Sequence, residues 1–229
     1  MASTLVIIPA YNEEACIVDT VQELTRIAPQ FDYAVVNDGS KDSTAELCRK
    51  NGFNLIDLPV NLGLTGAFQT GMKYAYRHGY DQAIQFDADG QHSPSFIEEL
   101  VNAMNETQAD IVIGSRFVTK QKPKSLRMLG SNLISALIRI TTSAKINDPT
   151  SGMRLYNRTM IEQFAIRGDL TPEPETLAFL IKRKDASVIE RQVNMRDRAA
   201  GESYLTFSKS IAYMANTCSA ILFSLWFRR

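Results

Sequence analysis

The chain has 229 residues, 45% hydrophobic and 22% charged, enough to bury one sizeable core as a single domain with a small appendage. Its three cysteines, Cys16, Cys48 and Cys218, lie far apart with no CxxC pair, which argues against a disulfide framework or a zinc site and suits a reducing cytosol. The net charge of zero conceals a split: residues 1–110 carry 16 acidic and 6 basic side chains (net −10), and residues 111–229 carry 9 and 19 (net +10). An acidic half suits a divalent cation and a basic half suits a phosphate or an anionic membrane surface, although two differently solvated faces would give the same arithmetic.

In chain order, the N-terminus runs straight into "TLVIIPAYNEE", with no basic region followed by a long apolar one, so no secretory signal is expected. "LVIIPA" (5–10) reads as a buried strand. Residues 13–28 have helical spacing at Ile17, Val21, Leu24 and Ile27. A second strand spans 33–38, a helix 43–52 and a third strand 53–59. A helix over 65–79 closes at Gly79, with His78 expected as an exposed helix-end residue. A fourth strand follows at 82–89, a helix with proline just inside its start at 93–106, and a fifth strand at 109–117. The strands are continuous apolar runs alternating with helices, the pattern of a mostly parallel sheet covered on both faces. No internal repeat or low-complexity segment is present.

Open parallel sheets bind ligands at the carboxyl ends of their strands. Pro9, Tyr11, Asn12 and Glu13 end the first strand, Asn37, Asp38, Gly39 and Ser40 the second, and Asp87, Ala88 and Asp89 the fourth. "NDGS" alone is good turn chemistry, but three polar, carboxylate-bearing strand ends converging on one edge are not explained by turns. Alternate residues on an extended strand point the same way, so Asp87 and Asp89 can face one pocket. Two close carboxylates repel unless a cation or shared proton intervenes, and hard oxygen ligands favour Mg²⁺ or Mn²⁺. Neither a GxxxxGK[ST] loop nor a GxGxxG after strand one is present, leaving a metal-bound nucleoside diphosphate as the expected ligand.

"VIIPAYNEE", "VVNDGSKDST", "NLGLTGAFQTG", "FDADGQHSP", "GSRF", "DPTSGMR" and "RDRAAGES" occur in the order seen in glycosyltransferase family 2, and residues 5–205 resemble its polyprenyl-phosphate sugar synthases. The resemblance implies a GT-A fold: a Rossmann-like, mostly parallel α/β sheet with helices on both faces and C-terminal membrane-proximal helices. It implies that Pro9, Tyr11 and Glu13, helped by Asp38, hold the nucleobase and ribose. It puts Asp87 and Ala88 on the nucleotide and makes Asp89 and Gln91 the metal ligands, with Asp87 a further candidate. Asn37 stands where relatives often carry a second aspartate, which favours Asp38 as the contact. His92, next to the motif, is a weaker candidate ligand.

A sugar hydroxyl needs a general base to become a nucleophile, whereas a phosphate monoester is already ionised near neutral pH and needs cations to hold it. Residues 111–147 contain no acid and seven cations: Arg116, Lys120, Lys122, Lys124, Arg127, Arg139 and Lys145. The resemblance assigns the lipid phosphate to Arg116, Arg127 and Ser131, the last two four apart and hence on one helical face. It assigns the departing diphosphate to Arg198 and Ser203, while Tyr204 replaces a common lysine. Asp148, Ser151 and Arg154 match a segment beside the acceptor site, or form a structural turn with an internal Asp–Arg pair. Glu173 and Glu175 in "TPEPET" keep a rival open, with Glu175 as base for a glycan hydroxyl; an inactive nucleotide-sugar-binding scaffold is a third reading.

After Glu202 there is again no acid, and "IAYMANTCSAILFSLWFRR" is apolar but interrupted by Asn216, Thr217, Ser219 and Ser224, short of the roughly 20 residues a membrane span needs. Trp226, Arg228 and Arg229 suit an interface. The expected organisation is a catalytic domain over 1–205, with a nucleotide-sugar and metal half (1–110) and an acceptor half (111–205), and a membrane-associating helix over 206–229. The expected activity is inverting, metal-dependent transfer of a sugar from a UDP- or GDP-linked donor to polyprenyl phosphate, serving cell-envelope glycan or polysaccharide synthesis. The expected setting is peripheral, on the cytoplasmic face of the plasma membrane, with a small membrane protein as candidate anchor and no nucleic acid partner.

Overall fold

The first strand, β1 (Thr4–Ala10), organises the molecule: Leu5, Val6, Ile7 and Ile8 are all fully buried. Because alternate side chains of a strand point to opposite faces, Leu5 and Ile7 join one core with Phe68, Met72, Tyr156 and Phe164. Val6 and Ile8 join a second core with Ile17, Leu24, Leu100 and Leu155. Burial on both faces is why the run is continuously apolar. Each such side chain contributes roughly 1.5–3 kcal/mol relative to an exposed one. The computed structural model describes residues 2–123, 125–196 and 207–227, without the side chains of residues 126, 127, 207–213 and 225–227.

After β1 come α1 (Ile17–Ile27), β2 (Asp32–Asn37), α2 (Thr44–Lys50), β3 (Leu55–Asp57), α3 (Gly63–Arg77), β4 (Gln82–Gln85), a short 3₁₀ turn at Pro94–Phe96, α4 (Ile97–Thr107) and β5 (Ile111–Ser115). The second half adds α5 (Leu126–Thr142), β6 (Arg154–Asn157), α6 (Arg158–Ile166), α7 (Pro174–Lys184), β7 (Val188–Gln192) and α8 (Phe207–Phe227). The sheet order is β3-β2-β1-β4-β6-β5-β7. All pairings are parallel except those of β6, which is antiparallel to both β4 and β5. The chain winds outward from β1 to β3, then crosses back through α3 to place β4 on the other side of β1. The β1/β4 boundary is therefore a topological switch point, where such sheets open a crevice.

The expected mixed α/β fold and its first five strands are present, with three differences. Strand four stops at Gln85, not 89, so Asp87 and Asp89 lie in the following turn, closed by Gly90 at φ +75°. The first helix starts at Ile17, because the residues before it are held by the loop after β2, described below. β6 and β7 extend the sheet beyond the alternation seen in the sequence; β6 is four residues long and β7 is half-buried throughout.

Cys16, Cys48 and Cys218 are free, and burial pushes the Cys48 thiol up to about 11. Helix α8 packs on α5 and α7, burying Thr217, Ile221 and Ser224, which share one face at i, i+4 and i+7. Leu222 and Phe223 are exposed. Among the described residues no helix is long and apolar enough to cross a membrane. Trp226, Arg228 and Arg229 carry no described side chains.

Candidate active site

A cavity of about 440 Å³ opens at the switch point, lined by Pro9 at the end of β1, Tyr11 and Glu13 after it, Asp38 after β2 and Asp87, Ala88 and Asp89 after β4. All seven are residues the sequence marks for the nucleotide. Asn61, Gly63, Leu64 and Ala67 add a wall at and just before the start of α3. These lie in "NLGLTGAFQTG", a motif recognisable in the sequence but without an expected role.

The loops around this cavity are tied to one another by hydrogen bonds. Asn12, at φ +56°, accepts the Lys41 N–H at 2.8 Å and donates its own N–H to Ser40 Oγ at 3.0 Å. The Glu13 N–H donates to Thr44 Oγ1 at 2.9 Å, and Glu14 Oε2 accepts the Ser43 N–H at 2.9 Å. The "YNEE" and "DGSKDST" segments are thus one stitched unit. Gly39 is at φ +63°, and a Cβ there would lie 2.6 Å from the Val60 carbonyl carbon, so only glycine lets these two loops meet. Asp38, 2% exposed, then accepts the Leu62 N–H at 2.7 Å. Asn37 is a structural pin: its amide donates to Asp57 Oδ1 at 2.6 Å and its oxygen accepts from Ser40 Oγ.

Asp87 is boxed in. Its Oδ1 accepts from Gln85 Nε2 at 3.2 Å, and its N–H donates to Nδ1 of the buried His92 at 3.1 Å. His92 Nε2 lies 3.6 Å from Asp87 Oδ2, and its ring stands edge-on to Phe86. A Cβ on Gly152 would lie 2.7 Å from the same oxygen. His92, a candidate ligand by position, is placed here as a support for Asp87. Asp89 is buried, and its Oδ1 accepts the Gln91 N–H at 3.1 Å. The Gln91 Nε2 donates to the Arg196 carbonyl at 3.3 Å, so its oxygen is the end turned away from that contact.

One tight turn therefore carries two carboxylates and an oriented amide oxygen, a donor set that fits Mg²⁺ or Mn²⁺. Among the described residues no three His, Cys, Asp or Glu side chains gather as a metal cage. A hard cation that takes further oxygens from substrate phosphates needs none.

The second half builds a different environment. Arg116, just after β5, donates its N–H to Asp148 Oδ2 at 3.0 Å and, through Nε and a terminal nitrogen, makes a two-pronged pair with both Asp148 oxygens at 2.7 Å. Asp148 is fully buried. Glu190 of β7 fixes its loop by accepting from the Asp148 N–H and from the Asn147 N–H and Nδ2, all at 2.8 Å. The Asp148 bonds raise the Arg116 pKa further. The internal Asp–Arg pairing considered from sequence takes another form: Asp148 binds Arg116, while buried Arg154 donates to the carbonyls of Pro149, Ser151 and Pro172.

Arg116 and Lys122 both lie over the Phe117 ring, at 5.1 and 5.5 Å from its centroid. Lys122 Nζ donates to Ser131 Oγ at 3.0 Å, and burial lowers the Lys122 pKa. Lys122 thus links the Arg116 neighbourhood to Ser131, a role that nothing in its local sequence distinguishes from the other lysines. A second cavity, of about 380 Å³, is lined by Phe117, Lys120, Lys122, Ser135, Arg139 and Lys145 among others, with no carboxylate in its wall. Arg127 is one turn before Ser131 on α5, but its side chain, like Arg198, Ser203 and Tyr204, lies outside the described residues. Glu175, on the first turn of α7, is not in the wall of either cavity; its Oε1 accepts from Thr171 Oγ1 at 2.8 Å.

Comparison with known proteins bears on the family and the fold. The model of the family described as "Glycosyl transferase family 2" matches residues 5–164. Polyprenol monophosphomannose synthase of Mycolicibacterium smegmatis is 32% identical over 169 residues, covering 70% of this chain and 63% of that protein. Undecaprenyl-phosphate mannosyltransferase of Micrococcus luteus is 29% identical over 214 residues, covering 88% of this chain and 87% of that protein. Glucosyl-3-phosphoglycerate synthase from Mycobacterium tuberculosis, in complex with phosphoglyceric acid, superposes with a TM-score of 0.71 at 18% identity, covering 98% of this chain and 80% of that one. The same enzyme with Mn²⁺, uridine diphosphate and glucosyl-3-phosphoglycerate gives 0.68 at 17% identity, with the same coverage. At these identities the structural likeness establishes the fold, the expected GT-A arrangement.

Proposed function

The chain belongs to glycosyl transferase family 2 and is a glycosyltransferase; we propose that it transfers a sugar from a nucleotide sugar to a polyprenyl phosphate at the cytoplasmic face of a membrane. The observation that carries this reading is the pairing of a carboxylate-bearing cavity at the β1/β4 switch point with an acid-free, cation-lined cavity beside Arg116 and Ser131. The first suits a metal-bound nucleotide sugar. The second suits an acceptor that is already an anion.

In this reading Pro9, Tyr11, Glu13 and Asp38 hold the base and ribose, and Asp87 and Ala88 the nucleotide. Asp89 and Gln91, with Asp87, would hold the cation. When bound, Mg²⁺ or Mn²⁺ supplies Lewis-acid stabilisation of the departing diphosphate. Arg116, Lys122, Arg127 and Ser131 hold and orient the acceptor phosphate, ionised near neutral pH because its second pKa is about 6. A phosphate oxygen attacks the anomeric carbon from the face opposite the leaving group. The new C–O bond forms as the bond to the nucleoside diphosphate breaks, the configuration inverts, and no side chain has to remove a proton. Arg198 and Ser203 meet the charge growing on the leaving diphosphate.

Membrane contact is assigned to α5 and α8. On α5, Leu129, Leu133 and Ile140 are 65%, 57% and 80% exposed, and they share a face beside Arg139. An apolar ridge flanked by cations suits an anionic leaflet surface. The catalytic unit then spans 1–205, with 206–229 and a small membrane protein adding attachment.

The test is a radiolabel transfer assay with undecaprenyl phosphate, Mg²⁺ or Mn²⁺, and a panel of UDP- and GDP-sugars. Label entering the organic phase with one donor supports the reading and names the sugar. Metal-dependent label in a glycan with none in lipid overturns it in favour of a hydroxyl acceptor, and makes Glu175 the residue to mutate next.

A further inference from the structure

We infer that Glu23 and Arg196 are positioning residues that set the orientation of the Gln91 amide for metal binding. The inference rests on Gln91 being a metal ligand, as proposed above. The Arg196 backbone closes on Gln91 from both sides: its N–H donates to the Gln91 carbonyl at 3.0 Å, and its carbonyl accepts from Gln91 Nε2 at 3.3 Å. A carbonyl can face only the NH₂ end of an amide, so this contact selects which end of Gln91 is left for an oxygen-seeking cation.

The segment carrying Arg196 needs an anchor to do this, because it leaves the sheet after β7. That anchor is its own side chain. The guanidinium makes a two-pronged pair with both Glu23 oxygens on α1, at 2.8 and 2.9 Å, and reaches Ser93 Oγ at 3.3 Å on the far side of the metal turn. The Arg196 bond holds the Glu23 pKa below its usual value. The pair is only partly buried, with side chains 49% and 24% exposed. Such pairs contribute little to global stability. What the geometry accounts for is register: α1, the metal turn and the chain after β7 meet at one side chain. Outer partners of this kind typically change metal affinity by about 10- to 100-fold when removed.

The test uses the full chain and Mn²⁺ as probe, with free Mn²⁺ followed by electron paramagnetic resonance in the presence of UDP or GDP. Glu23→Ala and Arg196→Ala should each weaken Mn²⁺ binding about tenfold with an unchanged melting temperature. Turnover at saturating Mn²⁺ should stay near wild type, so that the defect lies in the metal requirement alone. The charge-swapped pair Glu23→Arg with Arg196→Glu should recover most of the affinity. If Gln91→Ala weakens Mn²⁺ binding but neither Glu23→Ala nor Arg196→Ala does, the positioning role is wrong while the ligand assignment stands. If Gln91→Ala leaves Mn²⁺ binding unchanged, the ligand assignment fails and the inference fails with it.

Discussion

The two halves of the molecule solve opposite electrostatic problems. In the N-terminal half, carboxylates are brought together at strand ends and each is held by hydrogen bonds: from Gln85 to the Asp87 carboxylate, from the Asp87 N–H to His92, and from the Leu62 N–H to Asp38. In the C-terminal half, cations are gathered around Phe117, and their repulsion is offset from behind by the buried Asp148 and the half-buried Glu190. The first site is poised to attract a cation, the second an anion. The acid count of a region therefore says little about its ligand unless one knows which charges face the cavity and which sit behind it.

The largest effect should come from removing the cation's seat. Asp89→Ala should lower turnover about a thousandfold at any Mg²⁺ or Mn²⁺ concentration, because Lewis-acid stabilisation is worth several kcal/mol; initial rates over a metal titration check this. Activity retained in that variant would break the contrast between the halves at its donor end.

Next is the buried carboxylate behind the acceptor cations. Asp148→Ala leaves the Arg116 guanidinium without its partner and should cost about 3 kcal/mol of stability in urea unfolding. If stability is untouched, the supporting role of Asp148 is wrong.

Lys122→Ala should raise the apparent KM for polyprenyl phosphate about tenfold and leave the donor KM alone, as expected for one lost hydrogen bond to a charged group. Equal changes in both constants would show that the two cavities are not separate functional units. The smallest effect expected is from Gly152→Ala, whose methyl must displace the Asp87 carboxylate or shift its own loop. It should cost about 1 kcal/mol of stability and raise the donor KM without changing the acceptor KM. This is the reverse of the Lys122 pattern.

The strand–helix alternation and the strand ends at 9–13, 37–40 and 87–89 are readable directly, because each depends on a few neighbouring residues. The reading of Asp87 and Asp89 as alternate positions of one strand is not upheld. β4 makes its last sheet pairings at Ile84 with β6 and at Gln85 with β1, and the chain then curls. The two carboxylates share a cavity because of a turn stabilised by Asp89 and Gln91, a feature whose period differs from that of a strand. β6 escapes sequence reading because four residues are too few to set a period, and its antiparallel slot between β4 and β5 is decided by both neighbours.

A mostly parallel, doubly covered sheet, its glycine turns and the residues that line the switch-point cavity are written locally in the chain. Hydrophobic periodicity and turn chemistry are local properties of a chain. Tertiary structure alone decided that Asp148 would hold Arg116 across 32 residues, that Lys122 would meet Ser131, and that Arg196 would reach back to Gln91 and Glu23. Each of these depends on where a side chain arrives after the sheet has closed. A charge carries no record in the sequence of the partner it will face.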